Sequence, residues 1–161
     1  MNRSAAACLG LIMTLASAHA DWKAVEGGMF TRWGRELDAT KVWQEYPRPQ
    51  MERGNWTNLN GQWDYAIAGR DAAKPSNWDG KILVPFAPEA ALSGVGRMLE
   101  PDQSLWYQRA FKADAKNRTL LHFEAVDYQT TVWVNGKEVG GHTGGNTPFS
   151  FDVTSFLKVG D

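Results

Sequence analysis

Thr130-Thr131-Val132-Trp133-Val134-Asn135-Gly136-Lys137-Glu138-Val139 is the stretch that decides the fold. Val132 and Val134 alternate with Thr131 and Trp133, the period-two pattern of a half-buried strand. Asn135-Gly136 separates this run from Lys137–Val139. Both turn residues tolerate a positive φ, so the stretch predicts a β-hairpin closed by a two-residue turn. The same period extends in both directions along the chain. Trp63, Tyr65 and Ile67 alternate with Asp64, Ala66 and Ala68, and Tyr107, Arg109 and Phe111 with Trp106, Gln108 and Ala110. Leu121, Phe123 and Ala125 alternate with Leu120, His122 and Glu124, and Phe149, Phe151 and Val153 with Ser150, Asp152 and Thr154. Lys81 to Phe86 is a short apolar run ending in a Pro-rich loop. These read as strands with one apolar face each. Helical periodicity is confined to Thr154–Lys158, one turn at most. Many short strands separated by turn signals predict an all-β, antiparallel β-sandwich.

The flanks read differently. Met1–Ala20 has the form of a secretory signal: Arg3 supplies the positive start, Ala5–Ala16 is an apolar run, and Ala18-His19-Ala20 is a small-x-small cleavage site. The apolar run falls short of the ~20 residues needed to span a bilayer. An exported chain, periplasmic or extracellular, is therefore expected. Residues 21–55 show no sustained period and carry Tyr46-Pro47-Arg48-Pro49, which favours extended backbone. They read as an arm laid along a surface, with Trp22, Trp33 and Trp43 as its anchors. Residues 56–161 form the sandwich. Val153 to Asp161 closes a strand and ends on Gly160-Asp161, a pair of the sort that precedes another strand. A closing strand beyond this stretch is expected, since a sandwich without it leaves an open edge.

Composition narrows the function. The 161 residues carry 17 basic and 18 acidic side chains, with 43% hydrophobic residues. That balance excludes a disordered tail and a polybasic nucleic-acid binder, and its field is too weak to recruit an anionic membrane. The single cysteine, Cys8, leaves with the signal, so the core must hold without disulfides. At this length it can do so.

Five motifs in order are similar to the N-terminal domain of glycoside hydrolase family 2. They are Tyr46-Pro47-Arg48-Pro49-Gln50 followed by Trp56-Thr57-Asn58-Leu59-Asn60-Gly61-Gln62-Trp63; Ile82-Leu83-Val84-Pro85-Phe86 with its loop to Gly96; Leu105-Trp106-Tyr107-Gln108-Arg109-Ala110-Phe111; Leu121 to Tyr128 leading into Thr131 to Gly140; and His142-Thr143-Gly144-Gly145-Asn146-Thr147-Pro148-Phe149 with Phe151-Asp152-Val153-Thr154. Together they cover roughly Tyr46 to Thr154. The resemblance implies a jelly-roll, galactose-binding-like β-sandwich called the sugar-binding domain, C-terminally incomplete in this chain. It also implies partners: a β-glycoside carbohydrate and a downstream catalytic barrel, in which two Glu carry a retaining hydrolysis. Asn146 departs from the family, whose loop usually carries Tyr there, so an aromatic stacking role does not transfer to this position.

The chain's own residues do not suggest self-sufficient catalysis. Glycoside hydrolysis needs two carboxyl groups held roughly 5–5.5 Å apart for retention, or roughly 6.5–9.5 Å for inversion. Asp64, Asp79, Glu89, Glu100, Asp102, Glu124, Asp127, Glu138 and Asp152 are the candidates, and their places in turns and on polar strand faces are those of solvated carboxylates. His122 and His142 without cysteine make no zinc set. Gly94-Val95-Gly96 lacks the third glycine of a dinucleotide loop. No cofactor and no metal are expected. Asn55-Trp56-Thr57 and Asn117-Arg118-Thr119 fit the N-glycosylation pattern.

Contact residues are expected in two loops. The Gly-rich loop Gly140–Pro148 allows close backbone approach and, in the family, tends to face the barrel, which nominates His142, Gly144, Gly145, Asn146 and Thr147. Pro85–Arg97 offers Glu89 and Arg97 to sugar hydroxyls or to a neighbouring domain. Trp106 and Trp133 alternate out of the apolar faces and form either a sugar-stacking platform or buried packing. Three functions follow in order of preference: the scaffold and carbohydrate-binding domain of an exported family 2 glycosidase, inactive alone; a free-standing carbohydrate-binding module; or a sandwich that contacts only protein.

Overall fold

The computed structural model describes residues 21–113 and 117–158; the signal expected at 1–20 lies outside them. The described residues hold seven strands, one short α-helix and three 3₁₀ turns, and every strand pair is antiparallel. The all-β class is as the alternation predicted. No helix among the described residues is long and apolar enough to cross a membrane. The chain divides into two compact units, Met1–Arg109 and Ala110–Asp161.

In the first unit, β1 (Gly61–Gly69) lies between β2 (Gly80–Val84) and β3 (Gln103–Gln108). Trp63 pairs with Ile82, Asp64 with Lys81, and Ala66 with Trp106. Ile82 and Leu83 are consecutive and both fully buried. Neighbouring strand residues point to opposite faces, so β2 is covered on both sides. Ala66 is buried too, whereas Trp63, Tyr65 and Ile67 on the other face of β1 are only half-buried. The expectation of one apolar face per strand fails here because this sheet is covered from both sides. β3 also stops before Arg109, where the alternation would have carried it on to Phe111. The Arg109 guanidinium instead donates to the carbonyls of Leu59 and Asn60, at 2.8 and 2.9 Å, and so closes the approach to β1.

Trp22, Val25 and Trp43, from the N-terminal segment, contact the β2–β3 connection. The Trp22 indole N–H donates to Ser93 O at 3.0 Å, and Val25 N–H to Ala91 O at 2.9 Å. The connection is braced by buried Ser93, whose hydroxyl donates to Pro88 O at 3.0 Å and accepts from Val95 N at 2.9 Å. A short helix α1 (Arg32–Arg35) starts at Thr31, whose hydroxyl accepts from Gly34 N. Val42 is fully buried. Trp43 takes a left-handed conformation, φ 42°, and its carbonyl accepts from the Asn58 amide at 2.8 Å while its ring packs on Phe86. Trp33 and Trp43 correct the expected set of three anchors. Trp43 is 59% exposed despite its Phe86 contact, and Trp33 is 67% exposed with the Arg32 guanidinium over its ring.

The second unit contains two ribbons. β4 (Leu120–Phe123) pairs with β7 (Phe149–Asp152), and β5 (Gln129–Val134) with β6 (Lys137–Thr143). The hairpin turn is as predicted, with Asn135 and Gly136 both at positive φ, 51° and 79°. A bulge after Val132 leaves Val139 without a register partner. Val132, Val134 and Val153 are buried, and Phe149 stacks on Phe123 with centroids 4.9 Å apart. Gly140 comes so close to Phe151 that a Cβ built on it would lie 2.7 Å from the ring.

Asp152 ends β7 and holds the next turn. One carboxylate oxygen accepts from Thr154 N and Oγ1 at 3.1 and 2.6 Å, and the other from Arg118 Nε at 2.8 Å. The Arg118 and Thr154 bonds favour the ionised form and hold the carboxyl at about 2, below its ordinary 3.8. Because the folded value is the lower one, this stabilisation is complete above pH 3.8 and disappears as the pH falls through about 2. Asp152→Asn is therefore expected to lower the melting temperature at neutral pH, with the gap from wild type closing as thermal melts are taken down to pH 2.

Candidate functional site

The loop after β6 is shorter than the sequence suggested. Gly140 to Thr143 belong to β6, with Gly141 opposite Thr131 and His142 opposite Thr130. A ladder needs only backbone groups, so the two glycines join it although they contribute no side-chain period. The free loop is 144–148.

What holds that loop is local and specific. The His142 imidazole lies parallel over Phe149, with centroids 4.2 Å apart and planes 15° apart, and extends the stack that begins at Phe123. Its Nε2 is 3.1 Å from Thr147 Oγ1, which ties the loop's far end back to β6. Gly144, φ 135°, donates its N–H to Tyr128 O at 2.8 Å. A Cβ on Gly145 would stand 2.6 Å from Asp127 Oδ1, so a side chain there would push that carboxylate aside. Four expected residues, His142, Gly144, Gly145 and Thr147, thus meet around the Asp127–Tyr128 corner. Asn146 is exposed at the tip, together with Thr147, Asp127 and Tyr128. Sequence reasoning had Asp127 only among the carboxylates and missed Tyr128; paired glycines signal a close neighbour without saying which.

The arrangement offers an amide, a hydroxyl and a carboxylate on a fixed backbone, which suits recognition of a polyhydroxylated ligand. Thr130, opposite His142, has a buried hydroxyl with no hydrogen-bond partner among the described residues. Thr130→Val keeps the shape and removes that group, so it is expected to leave the melting temperature unchanged or raise it. A calorimetric scan checks this.

The other expected residues lie elsewhere. Glu89 is exposed in the turn after Pro88. Burial, reinforced by the Glu89 carboxylate, pushes the Tyr107 phenol up to about 12. Arg97 donates to Gln103 Oε1 at 3.0 Å, and the same oxygen accepts from Glu100 N at 3.1 Å. Both residues thus sit within the braced connection that receives the N-terminal segment. Trp106 is half-buried on β3, whereas Trp133 on β5 is 45% exposed. The two belong to different units. Among the described residues, no group of three or more His, Cys, Asp or Glu is placed to hold a metal ion.

Comparison with known proteins adds to this picture. Residues 97–161 match the profile of a family described as "Glycosyl hydrolases family 2, sugar binding domain". A β-galactosidase of Thermoanaerobacter pseudethanolicus is 44% identical over 59 residues, 35% of this chain and 8% of that one. A β-glucuronidase of Canis lupus familiaris is 32% identical over 161 aligned residues, 85% of this chain and 21% of that one. Among solved structures, Bifidobacterium dentium β-glucuronidase complexed with coumarin-3-O-glucuronide aligns with 62% of this chain and 17% of its own, at 30% identity and a TM-score of 0.48. The chain spans at most about a fifth of the length of these curated relatives.

Proposed function

We propose, from the match of residues 97–161 to the sugar binding domain of glycosyl hydrolases family 2, that this chain is the carbohydrate-binding and scaffold part of an exported family 2 glycosidase acting with retention on β-linked glycosides. The family match is the observation that carries the reading, and the names of the relatives, β-glucuronidase and β-galactosidase, support the substrate class. In this reading the two reacting carboxyl groups come from a catalytic barrel downstream, and this chain positions the barrel and borders its pocket with the Asn146 loop.

The chain's own carboxylates support that division of labour. Asp64 is paired with Lys81 at 2.6 Å, and Asp79 accepts from Ile67 N at 2.8 Å. Asp38 holds the Thr40 turn and Asp152 the Thr154 turn. Each of these four is engaged in fixing backbone or a strand pair, and a productive catalytic pair needs two groups held for the reaction instead.

The test is a fusion in which this chain replaces the corresponding part of a family 2 β-glucuronidase. Hydrolysis of a chromogenic β-glucuronide by the fusion is expected. A folded, soluble fusion with no activity would overturn the proposal.

A further inference from the structure

The outer face of the β5–β6 ribbon carries chemistry that the Asn146 loop does not use. Register places Gln129 with Thr143, Thr131 with Gly141, and Trp133 with Glu138 on one side of the ribbon, opposite to buried Val132 and Val134. All six residues of that side are exposed. Four of them, Gln129, Thr131, Gly141 and Thr143, line a shallow depression of about 350 Å³ together with Thr130 and His142 from the intervening positions. Gly141 gives it a floor without a side chain. The side chains lining it are an amide, three hydroxyls and the His142 imidazole, and Glu138, opposite Trp133, places a carboxylate on the same side of the ribbon. Trp133, two residues along the same face from Thr131, adds a flat aromatic surface at one end.

We infer that this face binds a neutral pyranose chain: one sugar ring sits on the Gly141 floor within reach of Gln129, Thr131 and Thr143, and the next lays its C–H face on Trp133. Neutral hydroxyl and amide groups beside an aromatic ring match a ligand with alternating hydroxyl and C–H surfaces. An anionic ligand finds no lysine or arginine among these side chains and meets the Glu138 carboxylate, and an apolar peptide finds little apolar area beyond the single indole. The volume lies at the lower end of that of small-ligand sites, roughly 300–1,000 Å³, so the face takes one ring in the depression and uses Trp133 as an extension. This inference deepens the glycosidase reading, on which its substrate class rests, by giving the domain a grip on polymer independent of hydrolysis.

The test is native gel electrophoresis of the whole chain through gels containing β-1,4-galactan, xylan or mixed-linkage β-glucan, compared with a polysaccharide-free gel. Retardation by at least one of the three is expected. Trp133→Ala should weaken it about tenfold, as loss of a central aromatic contact does, and Gln129→Ala should weaken it less. Trp33→Ala, which removes an exposed indole in the other unit, should leave it unchanged. All variants should keep the wild-type far-ultraviolet circular dichroism, since Trp133 and Gln129 lie on the exposed side of the ribbon. No retardation of the wild type, or equal retardation of Trp133→Ala, would overturn the inference. The fusion's hydrolysis is read separately, so failure here leaves the glycosidase reading standing, and an inactive fusion with retarded wild-type chain separates them the other way.

Discussion

Gly94→Ala is expected to destabilise the first unit by about 2–4 kcal/mol, the sum of a crowded contact and an unfavourable backbone conformation. Gly94 has φ 84°, a left-handed value that a Cβ disfavours. The built Cβ would also lie 2.6 Å from the Trp22 ring and 2.8 Å from Lys23 O. The indole can turn away only by giving up its bond to Ser93 O, and the Lys23 carbonyl is backbone. The variant should therefore release the N-terminal segment from the β2–β3 connection before the sheet itself unfolds. Limited proteolysis provides the readout: cleavage between residues 21 and 45 should become fast while the strands stay resistant. A variant as resistant as wild type would mean that the segment is not held by this contact.

The second large effect is expected at Ile82. Its side chain is fully buried opposite Trp63, and truncation to alanine should cost about 2–5 kcal/mol through lost burial and the cavity left behind. Urea denaturation followed by tryptophan fluorescence suits the measurement, since seven of the eight tryptophans, all but Trp133, lie in the first unit. The midpoint should fall with little change in slope, because the surface exposed on unfolding is nearly the same. An unchanged midpoint would contradict the two-sided covering of β2.

Most strands were legible in the sequence because alternation reports a strand with one face in the core. The β5–β6 hairpin was clearest, since Asn135-Gly136 needs no tertiary context to turn. Other features depend on partners distant in the chain. Arg109 continues the alternating pattern of β3, yet its guanidinium is drawn to carbonyls some fifty residues away. Gly140 and Gly141 look like loop because glycine has no hydrophobic period, although Phe151 packs where a side chain on Gly140 would be. The candidate site was half visible for the same reason. His142 and Thr147 are five residues apart and meet directly, whereas the Asp127 carboxylate beside Gly145 comes from before β5. Trp33 and Trp43 show the limit of composition: three tryptophans in one segment suggested three anchors, yet these two stay 67% and 59% exposed while Trp22 is half-buried.

In the proposed function this polypeptide binds and positions while the reacting carboxyl groups lie elsewhere. Its most direct test is the rate at which the purified chain alone releases 4-nitrophenol from β-glucuronide and β-galactoside substrates. The rate should equal that of buffer. Turnover above it that disappears when one Asp or Glu of this chain is replaced by its amide would contradict the account.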